Sequence, residues 1–205
     1  MSLEQKDTKR IINVLGSAGD FRETVPEGTE GAKKREYETS DGKKGSKYEL
    51  AYKSIGGKIT NVEFFEGDYG KNLLITFDFE DDTDAVTVSF GCNTPFGEDV
   101  LKKLPNINFN EWVVMTPFNF DDDKGKNRKG VSIKQGDEKV TNAYYDGEKN
   151  LLDYPEPENP DEMDSDDWKM YFTAARKHTI KYAEENILPQ FGGATTVATE
   201  DEEDF

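Results

Sequence analysis

"KITNVEFFEGDYGKNLLITFDFEDDTDAVTVSFG", residues 58–91, holds three apolar runs of strand length, 58–67, 72–80 and 85–91, joined by "DYGK" and "DDTD". In the middle run Leu73, Ile75, Phe77 and Phe79 fall on one side of an extended chain and Thr76, Asp78 and Glu80 on the other, because successive side chains of a strand point to opposite faces. The third run repeats the alternation with Val86, Val88 and Phe90 against Thr87 and Ser89. One buried and one wet face per strand is the pattern of an antiparallel sheet. Phe77, Phe79 and Phe90 are therefore read as core. In the first run Val62 and Phe64 supply the buried side, which leaves Phe65 and, in the turn, Tyr69 facing solvent.

Downstream the period changes from two to helical in "TPFGEDVLKKLPN", residues 94–106. Thr94 suits the N-cap, Pro95 the first helical position, and Pro105 the stop. Two further strands are predicted at 111–120 and 130–135, linked by "DDDKGKNRKG", and 139–145 reads as an added strand. Three strands, a helix and two strands is the element order of an OB fold, a Greek-key barrel of five strands. The expected fold class is thus mainly β: an OB-fold-like barrel over 35–147, with an N-terminal hairpin in which 35–40 and 47–55 flank "DGKKG". Residues 1–34 read as a tethered arm. Residues 148–190 combine a proline-rich acidic connector with an amphipathic helix from Asp166 to about Leu188, capped by Ser165 and stopped by Pro189. Its docking face carries Trp168, Phe172, Ala175, Tyr182 and Ile187. Residues 191–205 form a glycine leash and a flexible acidic tail.

Charge narrows the function. The 205-residue chain has a formal net charge of -17, with 22 Lys+Arg against 28 Asp+Glu in residues 1–150 and 4 against 15 in residues 151–205. The front part is close to balance, so a cationic surface there is concealed by the total. The single cysteine, Cys92, excludes an internal disulfide and a cysteine-based zinc site. No charged-then-apolar leader opens the chain and no apolar run approaches a membrane span. A cytoplasmic setting with no membrane partner is expected.

Catalysis finds no anchor. His178, the only histidine, lies in the C-terminal helix away from any nucleophile motif, which leaves triad and Cys/His chemistry unsupported. "DDDKGKNRKG" has its glycine at the wrong offset for a calcium loop and lacks the bidentate glutamate. There is no GxxxxGK[ST] phosphate cradle. The chain reads as a non-enzyme with no cofactor and no metal.

Binding is better supported, because lysines gather in two glycine-bearing hairpins. Lys43, Lys44 and Lys47, with Lys33, Lys34 and Arg35 nearby, form one cluster. Lys124, Lys126, Arg128 and Lys129 form the other, in the loop between the last two barrel strands, and Lys71 lies in the turn after Tyr69. Such lysines neutralise phosphates without reading base identity. Unpaired bases also need ring faces, for which Tyr48, Tyr52, Phe65, Tyr69, Phe118, Phe120, Tyr144 and Tyr145 stand closest to the basic loops. The wet faces of the second and third strands, with Thr76, Asp78, Glu80, Thr87 and Ser89, offer neither rings nor cations. The groove is therefore expected toward the basic loops and the first strand.

The chain closes on "TEDEEDF", Thr199 to Phe205. A barrel with basic loops, an acidic connector and a leash ending in five carboxylates and a terminal phenylalanine resembles the single-stranded-DNA-binding proteins of bacterial and bacteriophage replication. The resemblance covers about Arg35 to Tyr145 and the tip; the helix at 166–188 departs from the simplest bacterial form, and tetrameric assembly is not carried over. It implies sequence-nonspecific binding of single-stranded DNA in replication, recombination or repair, in the bacterial host cell if phage-encoded, as a monomer or homodimer. It also implies that Glu200, Asp201, Glu202, Glu203, Asp204 and Phe205 recruit a polymerase, helicase or primase and compete with DNA for the groove. The alternative from another class is an acidic DNA mimic or protein-interaction module that inhibits a nucleic-acid enzyme.

Overall fold

The period-two alternation becomes one mixed ten-stranded sheet in the computed structural model, which describes residues 10–39, 42–79, 85–147 and 149–192. In chain order the strands are β1 (Arg10–Leu15), β2 (Asp20–Val25), β3 (Lys33–Glu38), β4 (Lys44–Tyr52), β5 (Ile55–Gly67), β6 (Gly70–Asp78) and β7 (Val86–Gly91). Helix α1 (Pro95–Lys103) follows, then β8 (Trp112–Asp121), β9 (Asn127–Gln135) and β10 (Glu138–Lys139). A separate two-stranded ribbon, β11 (Tyr145–Asp146) and β12 (Lys149–Asn150), precedes helix α2 (Ser165–Asn186). The sheet order is β10-β9-β8-β5-β6-β7-β1-β2-β4-β3, antiparallel except where β1 runs parallel to β7. Among the described residues no helix is long and apolar enough to cross a membrane.

The core sits where the alternation put it: Leu73, Ile75, Phe77, Val88 and Phe90 are wholly buried, and Phe79 packs against them partly buried. The long strand β5 serves two partners, β8 through Ile55–Lys58 and β6 through Lys58–Gly67. A register shift between Ile59 and Asn61 moves the buried positions from Ile55 and Ile59 to Val62, the one-residue offset that a bulge imposes, together with a bend and added twist. The outer face is drier than its composition predicts at one point. Thr87 is buried and its hydroxyl lies 3.0 Å from that of Thr76.

The closed five-stranded barrel expected from the element order is not formed. Closing β9-β8-β5-β6-β7 requires β9 to meet β7, and both edges are already taken. The outer edge of β7 pairs with β1. On the outer edge of β9, β10 pairs with Lys134 and Gln135, and at Val131 the Asp99 carboxylate accepts from the N–H at 2.7 Å and Lys103 Nζ donates to the carbonyl at 2.7 Å, so α1 side chains satisfy the strand where β10 does not reach. The sheet nevertheless curls. Asn119 Nδ2 on β8 donates to the carbonyls of Gly16 and Ser17 in the β1–β2 turn at 2.9 and 3.2 Å. Gly19 in that turn has φ +64, and a Cβ there would stand 2.6 Å from the backbone nitrogen of Asn119, so the contact depends on glycine.

Further expectations are corrected. The reading of residues 1–34 as an arm fails for 10–25, which enter the sheet as β1 and β2 and bury Ile12 and Phe21. The strand expected at 139–145 is not formed: Lys139 ends the two-residue β10, Tyr145 opens β11, and 140–144 between them are not strand. The acidic stretch after Gly147 is no extended connector: Tyr154 is buried with Ala143, Tyr144 and Ala175 in a second small core. Helix α2 begins one residue early on an Asp164 cap, whose carboxylate accepts from the Asp166 and Asp167 N–H groups while Asp167 answers the Asp164 N–H, a capping box in which aspartates fill both places. Of the face expected to dock, Ala175 and Ile187 are buried, whereas Phe172 is 50% exposed.

Candidate nucleic-acid interface

At the N-terminal end of α1 the chain leaves a groove of about 380 Å³ between the β1–β2 turn, the β5–β6 turn and β9. Thr94 caps the helix by accepting from the Gly97 N–H at 3.2 Å, as its sequence position predicts. The apolar floor is Val14, Phe90 and Phe96; the polar walls are Asn13, Asn72, Ser89 and Asn93; Tyr69 and Lys129 stand at the mouth. Tyr69 is 86% exposed, the most open large ring of the described chain. Phe65, 57% exposed, is the cross-strand partner of Asn72. Among the described residues none lining this groove carries a carboxylate, in a protein with 43 Asp and Glu. Amide side chains both donate and accept, so the walls suit a polar ligand of either hydrogen-bonding sense, with a ring and a cation at the entrance.

The β8–β9 hairpin continues the cationic side. Asp122 makes its turn: the carboxylate accepts from the N–H groups of Lys124 and Lys126 at 3.0 and 2.9 Å and from Arg128 Nε at 2.8 Å. Those donors, the Lys126 N–H foremost, hold Asp122 below the ordinary carboxylate range. Arg128 is thereby committed, while Lys124, Lys126 and Lys129 are exposed with no carboxylate within 4.0 Å among the described residues. Phe118 and Phe120 lie 5.7 Å apart on the same hairpin, Phe120 54% exposed.

The other basic cluster sits on β3 and β4, at the far end of the sheet order. Here two of the cations share one buried carboxylate. Arg35 makes two bonds to Glu49, at 2.7 and 3.0 Å, and Lys47 lies 2.8 Å from the same carboxylate. Glu49 is buried, and the Arg35 bond above all pushes it down to about 2. Lys33, Lys34, Lys43 and Lys44 are exposed on the ribbon, with Lys44 4.0 Å from Glu38, and Glu36 and Glu38 line the same shallow surface as Lys34 and Lys44. Tyr48 donates its hydroxyl to Glu27. Tyr52 donates to Glu23 at 2.7 Å, and Glu23 is gripped by Arg10 at 2.8 and 2.9 Å.

Several residues predicted to touch DNA have other work. Lys71 ties α2 to the sheet through Glu184 at 2.7 Å and lies over the Phe64 ring. Tyr144 is fully buried, its hydroxyl without a partner among the described residues, and desolvation pushes its pKa up. Tyr145 packs edge-on against Tyr154. Arg35, Lys47, Tyr48 and Tyr52 are fixed by carboxylates as described. The groove thus unites Tyr69 and Lys129 from the expected set, with Phe65 at its edge, and adds Asn13, Asn72, Ser89 and Asn93, which sequence reasoning missed. Ser89 belonged to a face judged unattractive, and scattered asparagines at strand ends carry no period or motif that could have marked them. The tip residues Glu200 to Phe205 lie outside the described residues.

His178, from which no chemistry was expected, meets Tyr144 and Tyr154 edge-on and places Nε2 2.9 Å from the Leu152 carbonyl. Cys92 is buried, and desolvation pushes its thiol up to about 11, far from thiolate reactivity. Among the described residues no group of three His, Cys, Asp or Glu side chains is placed to hold a metal ion. No family model matches this chain, and no curated protein or solved structure does either.

Proposed function

We propose that the protein binds single-stranded DNA without sequence preference, through the groove at the N-terminal end of α1 and the neighbouring face of the β8–β9 hairpin. The observation that carries the reading is the acid-free groove with an exposed tyrosine and a lysine at its mouth. Local rather than total charge decides whether a polyanion can approach, since at about 0.1 M salt charges beyond roughly 10 Å are screened. A base stacks on Tyr69, a second ring is offered by Phe65 or Phe120, and Lys124, Lys126 and Lys129 neutralise phosphates. The element order β5-β6-β7-α1-β8-β9 is that of an OB scaffold, which supports the reading although the sheet is open. The tip, Glu200 to Phe205, competes with DNA for these lysines and recruits replication proteins.

The test is the anisotropy of fluorescein-labelled oligo(dT) against full-length protein at two salt concentrations, with and without the tip carboxylates changed to amides. Binding that weakens with salt and tightens when the tip is neutralised is expected. A protein that ignores oligo(dT) at low salt in both forms sinks the proposal and leaves the acidic mimic in its place.

A further inference from the structure

On the opposite chemistry to the groove at α1, the stretch after Gly147 folds along the start of α2 and leaves an open cleft of about 530 Å³. Its floor is apolar: Pro155, Pro157, Met163, Met170, Tyr171 and Ala174. Its rim is Glu156, Glu158, Glu162 and Asp167. Residues 151–167 hold eight carboxylates and no lysine or arginine, and no cation lies within 4.0 Å of the four rim carboxylates among the described residues. The apolar surface extends beyond the cleft. Met170 is 65% and Phe172 50% exposed, with Trp168 stacked on Phe172 at 5.6 Å.

The walls are built. Asn150 Nδ2 donates to the Tyr154 carbonyl at 2.6 Å and to Glu156 Oε1 at 2.8 Å. Tyr154 is anchored in the second core, and the Asp164 capping box fixes the helix end. An apolar floor of methionines and prolines inside an unneutralised acidic rim calls for a ligand of the reverse pattern. Nucleic acid is repelled here. A second copy of the chain is a poor match, since each copy carries -17 overall and would have to approach at the most acidic quarter of the other.

We propose that this cleft docks a basic amphipathic peptide segment of a partner protein, its apolar side chains against Met163, Met170 and Tyr171 and its cations at Glu156, Glu158 and Glu162. The site is independent of the groove at α1, so strand and partner can be held at once. Recognition is by opposite charge at the rim and apolar burial at the centre, the arrangement of helix-in-groove docking.

The test uses the full chain with Trp112→Phe, which leaves Trp168 as the sole tryptophan, and with Glu200, Asp201, Glu202, Glu203 and Asp204 changed to amides, which removes the tip as a competing polyanion. The probes are a synthetic leucine–lysine amphipathic peptide and a serine–lysine peptide of equal length and charge. The leucine peptide is expected to shift Trp168 emission to the blue and to bind about tenfold more tightly than the serine peptide. Met170→Glu with Glu158→Lys, both at exposed positions, brings the leucine peptide down to the level of the other. Equal affinity for the two peptides, an unmoved Trp168 emission, indifference to the paired substitutions, or self-association that those substitutions abolish each overturns the proposal.

Discussion

The β3–β4 ribbon and the β8–β9 hairpin read alike as sequence, each a glycine-bearing turn flanked by lysines, yet the fold makes them different objects. In the ribbon a buried glutamate, Glu49, takes up Arg35 and Lys47, and Glu36 and Glu38 share a surface with Lys34 and Lys44. In the hairpin Asp122 is consumed by the turn and by Arg128, Asp121 accepts from Asn127, Asp123 is exposed, and three lysines have no carboxylate within 4.0 Å among the described residues. The ribbon gives two cations to a buried carboxylate and the hairpin gives one to its turn. The number of cations in a loop is therefore a poor guide to binding; the position of the nearest carboxylate decides.

Glu49 offers the largest effect. Glu49→Ala leaves Arg35 and Lys47 without the charge they enclose, and is expected to cost on the order of 3 kcal/mol of stability in urea unfolding. Oligo(dT) affinity should move little. The same pairing sets an acid limit. The folded pKa of about 2 lies below the ordinary value of 4.5, so the stabilisation is present in full above the unfolded pKa and is lost as pH falls from about 4.5 to about 2. The acid-unfolding profile of Glu49→Gln should be flatter over that window. A ribbon indifferent to both changes would erase the contrast drawn between the two clusters.

Next comes the ring at the groove. Tyr69→Ala removes the most exposed aromatic face, and should weaken oligo(dT) by about 2 kcal/mol, the middle of the range for one stacked base, with unfolding unchanged because the side chain is 86% exposed. Tyr144→Phe, by contrast, should leave DNA binding unaltered. Its hydroxyl is buried without a partner among the described residues, so stability should hold or rise slightly.

How much of this could be read from residues follows the range of the interactions involved. Strands β5 to β9 and α1 were legible because period-two alternation and the Thr94–Pro95 start are local signals. The open sheet was not, because it turns on Asp99 and Lys103 reaching Val131 on β9 and on β1 pairing with β7 across more than seventy residues. Residues 10–25 looked like an arm for the same reason: Ile12 and Phe21 find their burial only in distant strands. At the site, Tyr69 and Phe65 were legible as the odd members of an alternating pattern, and Lys129 as part of a basic run. The roles of Lys71 and Tyr144 were not, since each is settled by α2 or the connector, which return to the sheet from far along the chain.

The smallest effects discriminate the two basic clusters most directly. Replacing Lys124, Lys126 and Lys129 together by alanine should lower the slope of log affinity against log salt by about 2, at roughly 0.7 per phosphate contact on a single strand, and cost about tenfold in affinity at moderate salt. Replacing Lys33 and Lys34 should change affinity by less than about twofold. Both are exposed, but Lys33 stands directly across from Glu49 in the ladder. Lys34 shares its face with Glu36 and Glu38, since residues two apart on a strand point the same way. A phosphate arriving there meets as much repulsion as attraction, whereas one arriving at Lys129 meets a groove with no carboxylate in its lining. Equal losses of salt slope from the two sets of substitutions would mean that the strand runs along the ribbon as well, and that lysines on the acid-bearing face of the ribbon and lysines beside the groove are equivalent to DNA.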